Sequence, residues 1–557
     1  MTQFSFAAVF SDHCVLQRDR NITIFGYADD GLRIKVTLCD SAGKILAENC
    51  GKSRGGRWEV RLDPQAAQTG CSLTAECADS PAKGARITLN DVAVGEVWLA
   101  GGQSNMEFEL HNCEEGPAEL ADADGGKNVR FYYTNKIAWK DDKFFEAEHN
   151  TCWQTWESQW KTAWSAVGYF FAKKLAADLG VTVGVIGCNW GGTSASAWMR
   201  REYLEKDIEL KTYLDEQTKA TAGKSIEQQC AEYDAYEAEN DIWQKKCAEL
   251  YETVPGITWA EIEKRLGKCP WPGPKSCKNP YRPTGLYECM VSRIIPYTLR
   301  GVIWYQGESD DHKPHSYRKL FTNMIDNWRT DFQDDCLPFI FVQLPAHRYE
   351  QDKDFRHWCF IREAQQKVHD TVKNAWMTCA LDLGQYNDIH PKAKKTVAER
   401  MENTALATVY GKISGEKALP PMLKDTLIKG SAVILTFANA SDGFEMRTDQ
   451  KTLSEYKAME ENQGNKFPEN FTGFEIAGDD GVYYPAQFEL GGKDAPGKIT
   501  LTSGNVPEPK SARYAWYNYG PATVFGKNGL PLAPFRTAAD SEQTATESAA
   551  IQQIMTV

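Results

Sequence analysis

The sequence predicts an α/β protein: a parallel sheet covered by helices on both faces, set between two all-β stretches. Three observations predict this. Between about residues 91 and 411 the strands VGEVWLAGG, VTVGVIG, RGVIWYQ, PFIFVQLP and AWMTCALDL are nearly continuous apolar runs, as expected where both faces of a parallel sheet are covered. Helical patterns alternate with them. AWSAVGYFFAKKLAADLG stops at Gly180 and VTVGVIG follows at once, the strand–helix–strand rhythm of such a sheet. At both ends of the chain the period changes to apolar–polar alternation, with Asp, Gly and Ser turns between the runs.

Taken in order, residues 1–95 read as an N-terminal β-domain, with ITIFGY, LRIKVTL, RWEVRL and CSLTAEC alternating. Residues 96–411 form the α/β domain. Within it, about 200–268 is polar, acidic and rich in Glu, Lys, Ala and Gln with apolar positions at helical spacing, so it reads as a helical insertion, a lid or flank. PWPGPKSCKNPYRP, at 270–283, does not continue a helix with four more prolines after its opening Pro270 and marks the return to the domain. Residues 412–540 resume strand signals in SAVILTFA, GFEIAG, GVYYPAQFEL, KITLTS and RYAWYN, giving a C-terminal β-domain. The last residues, 541–557, are low in bulky apolar groups and read as a frayed tail.

A chain of 557 residues exceeds the usual single-domain length and supports a large core. A net charge of −13, with no basic stripe, excludes a phosphate-backbone partner, so no nucleic acid is expected. No apolar stretch approaches the roughly 20 residues a bilayer requires, so no membrane partner is expected. The start MTQFSFAAVFSDH has neither a basic region nor an apolar core for export, and the 16 cysteines are scattered without CxxC or zinc spacing. Both point to reduced thiols and a cytoplasmic location, although a chain already relieved of a leader reads the same. The 17 Trp, 23 Tyr and 24 Phe suit a sugar-handling surface and equally suit core filling. Oligomeric state is not legible.

Four segments concentrate chemistry. VWLAGGQSNM (97–106) ends an apolar strand in two glycines and presents Ser104; VGVIGCNWGGT (183–193) and GVIWYQGESD (301–310) end alike; NDIHP places His390 ahead of a helical run. In open α/β sheets reactive groups gather beyond the carboxyl ends of the strands. A serine hydroxyl needs a base within hydrogen-bond reach, and His390 is the candidate, brought near by the fold. GKSRG at 51–55 matches GxSxG by chance, because no helix follows. HKPH at 312–315 contains Pro314 and lacks a completing carboxylate, so no metal site is expected. Glu308 and Asp310 read as solvated loop acids.

GGQSNM, WYQGES and DIHP, together with VFSDHCVLQRDRNITIFG, RPTGLYECMVSRIIPYTLRGVIWYQGESD, IREAQ and RYAWYNYGPATVFGKNGLPLAPFRT, resemble the SGNH (GDSL-like) hydrolases, and within them the sialate O-acetylesterase family. The resemblance covers roughly 9–536. It implies a doubly wound SGNH-hydrolase sheet flanked by β-sandwich-like domains, and a serine esterase that removes O-acetyl groups from a carbohydrate substrate through an acetyl-enzyme. O-acetylated sialic acid stands first, with acetylxylan or acetylmannan oligosaccharides as the alternative. A carbohydrate-binding protein with an idle hydrolase centre is the rival from another class. The chemistry needs no metal or organic cofactor.

By the same resemblance, Ser104 is the nucleophile and His390 the base. The family pattern puts Asp three residues before the His, where this chain has Asn387. Asp388 is then the expected orienting acid, with a Ser–His dyad assisted by a backbone carbonyl as the fallback. The Ser104 amide, Gly192 and the Gln306 carboxamide, which stands where the family has Asn, are the expected oxyanion donors. Trp190 and Trp304 are expected walls of a shallow acyl pocket. Arg362 is expected either to meet a sugar carboxylate or to form a surface or structural ion pair.

Overall fold

The computed structural model describes residues 4–78, 85–254, 257, 259–349, 356–447 and 471–538. The tail expected at 541–557 lies outside them. Six parallel strands form the centre: β1 (Arg86–Gly102), β2 (Val129–Tyr133), β3 (Val183–Asn189), β4 (Gly301–Tyr305), β5 (Phe339–Gln343) and β6 (Ala375–Cys379), in the spatial order β2-β3-β1-β4-β5-β6. Trp153–Gln154 adds an antiparallel edge to β2. Every residue of β3, β4 and β5 is buried, which is why these strands read as unbroken apolar runs.

Helices α1 (Ser104–Glu107), α2 (Ala166–Leu179), α3 (Ile226–Thr253), α4 (Trp259–Leu266), α5 (Tyr317–Asp331), α6 (His357–Thr371) and α7 (Lys394–Thr408) follow in chain order. α2 pairs with α7 and α5 with α6 over the sheet. α2 begins where Ser165 Oγ accepts the Gly168 N–H at 3.0 Å and ends at Gly180 in the left-handed region, a serine cap and a glycine stop.

β1 is the shared element of the molecule. Its first half pairs with Gln68–Cys77 and Val15–Gln17, and its second half with β3 and β4. The expected boundary between residues 95 and 96 therefore falls inside one strand. The N-terminal strands join an 11-stranded mixed sheet, and beside it lies a three-stranded sheet of Phe4–Phe6, Ile22–Ala28 and Arg57–Leu62. Toward the carboxyl end, Met422–Lys429, Ala432–Ala438, Lys498–Thr502 and Gln487–Leu490 form a four-stranded antiparallel sheet, with a second four-stranded sheet around Phe474–Ala477 and Ser511–Tyr514. Their common core, including Val433, Leu435, Ile499, Leu501 and Tyr514, also takes in Ala346, Cys379 and Leu381 at the ends of β5 and β6.

The insertion is helical, as its composition predicts. α3 runs 28 residues, about 40 Å, from a capping box in which Ser225 and Gln228 exchange side-chain-to-backbone bonds of 3.2 and 2.9 Å. Among the described residues no helix is long and apolar enough to cross a membrane.

The chain leaves β1 on one side for β2 and β3 and crosses to the other for β4. The carboxyl ends of β1, β3 and β4 thus flank the point where the winding reverses, the place where such sheets open a crevice.

Candidate active site

β1 stops at Gly102, whose φ of +142° is open to glycine and where an added Cβ would fall 2.1 Å from the Tyr305 carbonyl oxygen. The chain turns there into α1, with Ser104 first in the helix. Gln103 locks the turn to the end of β4: its amide N–H donates to the Tyr305 carbonyl at 3.1 Å, and its Oε1 accepts from the Gly307 and Ser309 N–H groups at 3.3 and 3.2 Å.

The end of β3 closes onto the same turn. Trp190 N–H donates to the Gly102 carbonyl at 3.1 Å, Gly191 N–H donates to Glu107 Oε2 at 2.6 Å, and a Cβ on Gly191 would lie 3.2 Å from Ser104 Cβ. Gly192 follows in the left-handed region at φ +73°. Among the described residues no acceptor takes the N–H of Ser104 or of Gly192. Trp190 stays half-buried at the rim, with the Lys136 ammonium 6.0 Å from its ring centroid and paired to Glu107.

The loop after β6 brings His390 to this edge. Its ring centroid lies 6.4 Å from that of Phe108, just past α1. Burial, and next the Lys394 ammonium, hold its pKa below the usual imidazole value, while the Asp388 and Glu107 carboxylates pull it back up. Ser104 Oγ and the imidazole are not hydrogen-bonded to one another. Nor does Asp388 bond the ring as expected: its Oδ1 accepts the backbone N–H of His390 at 2.9 Å. A carboxylate only two residues upstream is drawn into its own tight turn, and Asp388 acts on the imidazole through charge.

Behind these groups lies a polar cluster that the sequence reading missed. Asn105, fully buried, donates from Nδ2 to Glu308 Oε1 at 2.6 Å and to the Ile389 carbonyl at 2.9 Å, and accepts from Lys394 Nζ at 2.5 Å. Burial draws Lys394 down to about 7 and pushes Glu308 up. Glu308 is not a solvated loop acid, and neither is Asp310. Asp310 is buried, taking bonds from Ser194 Oγ (2.5 Å), the Ala195 N–H (2.9 Å) and Gln306 Nε2 (2.6 Å).

Three expected site residues are placed elsewhere or otherwise engaged. Gln306 is buried with its amide committed: Nε2 donates to the Thr193 carbonyl at 3.2 Å and to Asp310, and Oε1 accepts from Tyr317 at 2.9 Å. Two protons given to two acceptors leave none for an oxyanion, so Gln306 buttresses the Gly192 turn. Trp304 is no pocket wall. It is core, wedged edge-on between Trp198 and Trp328 and against Gly101, because it lies on the face of β4 covered by α5, stacked on Phe321. Arg362 is buried on α6 and donates to the Tyr517 carbonyl of the C-terminal β-region.

His312 packs against Tyr213 and His315 against Phe360, so HKPH gathers no ligand set. Ser53 of GKSRG is buried and bonded to the Asp29 carbonyl at 2.6 Å. A cavity of about 770 Å³ lies between α5 and α6 and shares no residue with the cluster around Ser104. Around that cluster, Ser104, Gly192, Trp190, His390 and Asp388 share one edge of the sheet.

Residues 272–407 match the family model described as carbohydrate esterase, sialic acid-specific acetylesterase. The chain is 26% identical over 431 residues to the sialate O-acetylesterase of Mus musculus, covering 73% of this chain and 74% of that protein. It is 24% identical over 453 residues to the Homo sapiens enzyme of the same name, covering 77% and 75%. A solved carbohydrate acetylesterase from Xanthomonas citri superposes with a TM-score of 0.70 at 26% identity, over 96% of this chain and 99% of that one. The chain is a carbohydrate esterase, a hydrolase of carboxylic esters related to the sialate O-acetylesterases.

Proposed function

We propose that this esterase removes O-acetyl groups from sugars, O-acetylated sialic acid first among them, by an SGNH-type mechanism in which Ser104 carries the acetyl group. The observation behind the reading is the strand-end turn itself. It presents Ser104 beside two backbone N–H groups, its own and that of Gly192, which no acceptor among the described residues takes, while the Asn105 bond to Ile389 draws in the loop bearing His390.

In this reading Ser104 Oγ attacks the acetyl carbonyl as His390 takes its proton. The Ser104 and Gly192 N–H groups hold the oxyanion. The sugar alcohol leaves with the proton from His390, and a water deprotonated by His390 then releases acetate. His390 works while neutral, the form that its burial favours. Asp388 fixes the turn through the His390 N–H and stabilises the imidazolium by charge.

The test has two parts. A fluorophosphonate should label the peptide containing Ser104, and labelling of another serine would overturn the assignment. Acetate release should then be compared between 9-O-acetyl-N-acetylneuraminic acid and acetylated xylo- and manno-oligosaccharides. A kcat/KM higher for the plant oligosaccharides would replace the sialic acid reading with the alternative substrate class.

A further inference from the structure

The helical insertion and the segment that follows it place aromatic rings beside Gly192. A Cβ on Gly192 would lie 3.0 Å from the Tyr281 ring and 3.2 Å from the Trp271 ring. Trp271 is 54% exposed. A lone exposed tryptophan is no site in itself. Trp271, however, is held in place: its Nε1 donates to Tyr281 OH at 2.7 Å, and the two rings meet edge-on at 5.6 Å. Tyr281 is half-buried and lies close enough to the Glu107 carboxylate of α1 for that charge to raise its pKa, after the larger effect of burial.

The support continues outward. Gly273, two residues past Trp271, lies under the Tyr236 ring of α3, where a Cβ would sit 2.4 Å from it. Tyr236 in turn packs on Tyr233, which is buried. Toward its far end, α3 brings Tyr251, 54% exposed, within range of the Asp388 charge.

The geometry points to Trp271, braced by Tyr281, as a platform on which a pyranose ring of the substrate stacks while its acetyl group enters between Ser104 and Gly192. The inference rests on the esterase reading and adds to it the subsite for the leaving sugar. A pyranose presents axial C–H groups on one face, and an indole with a free face and a fixed edge offers the apolar, negatively polarised surface those hydrogens meet. The platform acts in binding; it touches no reacting atom.

The experiment compares hydrolysis of acetylated sugars with that of ethyl acetate, an ester with no pyranose ring to stack on Trp271. Trp271→Ala should lower kcat/KM for acetylated xylotriose or for 9-O-acetyl-N-acetylneuraminic acid about tenfold more than for ethyl acetate, chiefly through KM. Trp271→Phe should recover most of the difference. Tyr281→Phe, which removes the acceptor of the indole N–H, should give a smaller shift in the same direction. Loss confined to one of the two sugars would identify which ring rests there. Equal loss on sugars and ethyl acetate, or no loss on either sugar, would overturn the platform. Binding of the same sugars to Ser104→Ala, read by quenching of tryptophan fluorescence that Trp271→Ala abolishes, separates the two claims. If Ser104→Ala still hydrolyses ethyl acetate, the nucleophile assignment fails while the quenching still reports on the platform.

Discussion

The side-chain amide of Asn105 donates to the Ile389 carbonyl at 2.9 Å, so the residue after Ser104 holds the residue before His390. The two lie 284 residues apart along the chain, and this bond links the turn bearing Ser104, the proposed nucleophile, to the loop bearing His390, the proposed base. Asn105→Ala removes it and leaves Lys394 and Glu308 without their shared partner, at about 1–3 kcal/mol of stability for each buried group stranded. Loss of kcat should be about 10- to 100-fold, the cost of a misplacement of about 1 Å. Asn105→Asp keeps an acceptor for Lys394 and loses both donations, so it should show the kinetic loss with a smaller fall in urea midpoint. Kinetics and urea unfolding on the two variants check this.

The pH profile follows from the surroundings of His390. As the proposed base His390 works neutral, and burial with Lys394 lowers its pKa. The acid limb of kcat/KM should therefore lie below the ordinary imidazole value of about 6.5. Lys394, at about 7, is protonated across that limb, and its charge opposes protonation of the ring. Lys394→Met should move the limb to higher pH; a limb that moves the other way or stays in place contradicts the arrangement.

Gln306 separates buttress from donor. Its amide is spent on Thr193 and Asp310, so Gln306→Met, similar in size without the hydrogen bonds, should lower stability by about 1–3 kcal/mol and slow turnover in step with it. An oxyanion donor would instead lose about 100- to 1000-fold in rate with stability unchanged. A urea midpoint beside a kcat distinguishes them.

Acid should weaken the fold before it protonates the carboxylates. His347 and His357 are pulled by burial to about 4, while the unfolded chain protonates near 6.5. Between those values the unfolded state binds more protons, so stability falls as pH drops from about 6.5 to 4, by on the order of 1–3 kcal/mol for each group. His347→Phe should flatten that slope in pH-dependent urea unfolding.

Much of this was readable in the sequence. Strands ending in Gly101–Gly102 and Gly191–Gly192 announce turns, and Ser104, Gly192, Trp190 and His390 do come to one edge. Trp304 was misread because a strand buried on both faces has no alternation to tell which side a residue takes. Arg362 is read as a sugar contact or an ion pair, and Asp310 as a solvated acid, because charged residues are rarely buried without such a partner; the structure buries both. The cluster of Asn105, Glu308 and Lys394 was invisible for another reason. Its members are separated by |i−j| values of 203 and 289, and nothing local marks a polar side chain as a partner across such distances. Trp271 reads only as part of a proline-rich return segment; its neighbour Gly192 is supplied by the fold.

The central claim is that Ser104 is the group acetylated during turnover. Acetate release by Ser104→Ala, measured on 9-O-acetyl-N-acetylneuraminic acid and on p-nitrophenyl acetate, tests it most directly. The account predicts a fall of at least about a thousandfold in kcat on both esters, with the urea midpoint unchanged. Retention of most of the activity by a folded Ser104→Ala enzyme would contradict it.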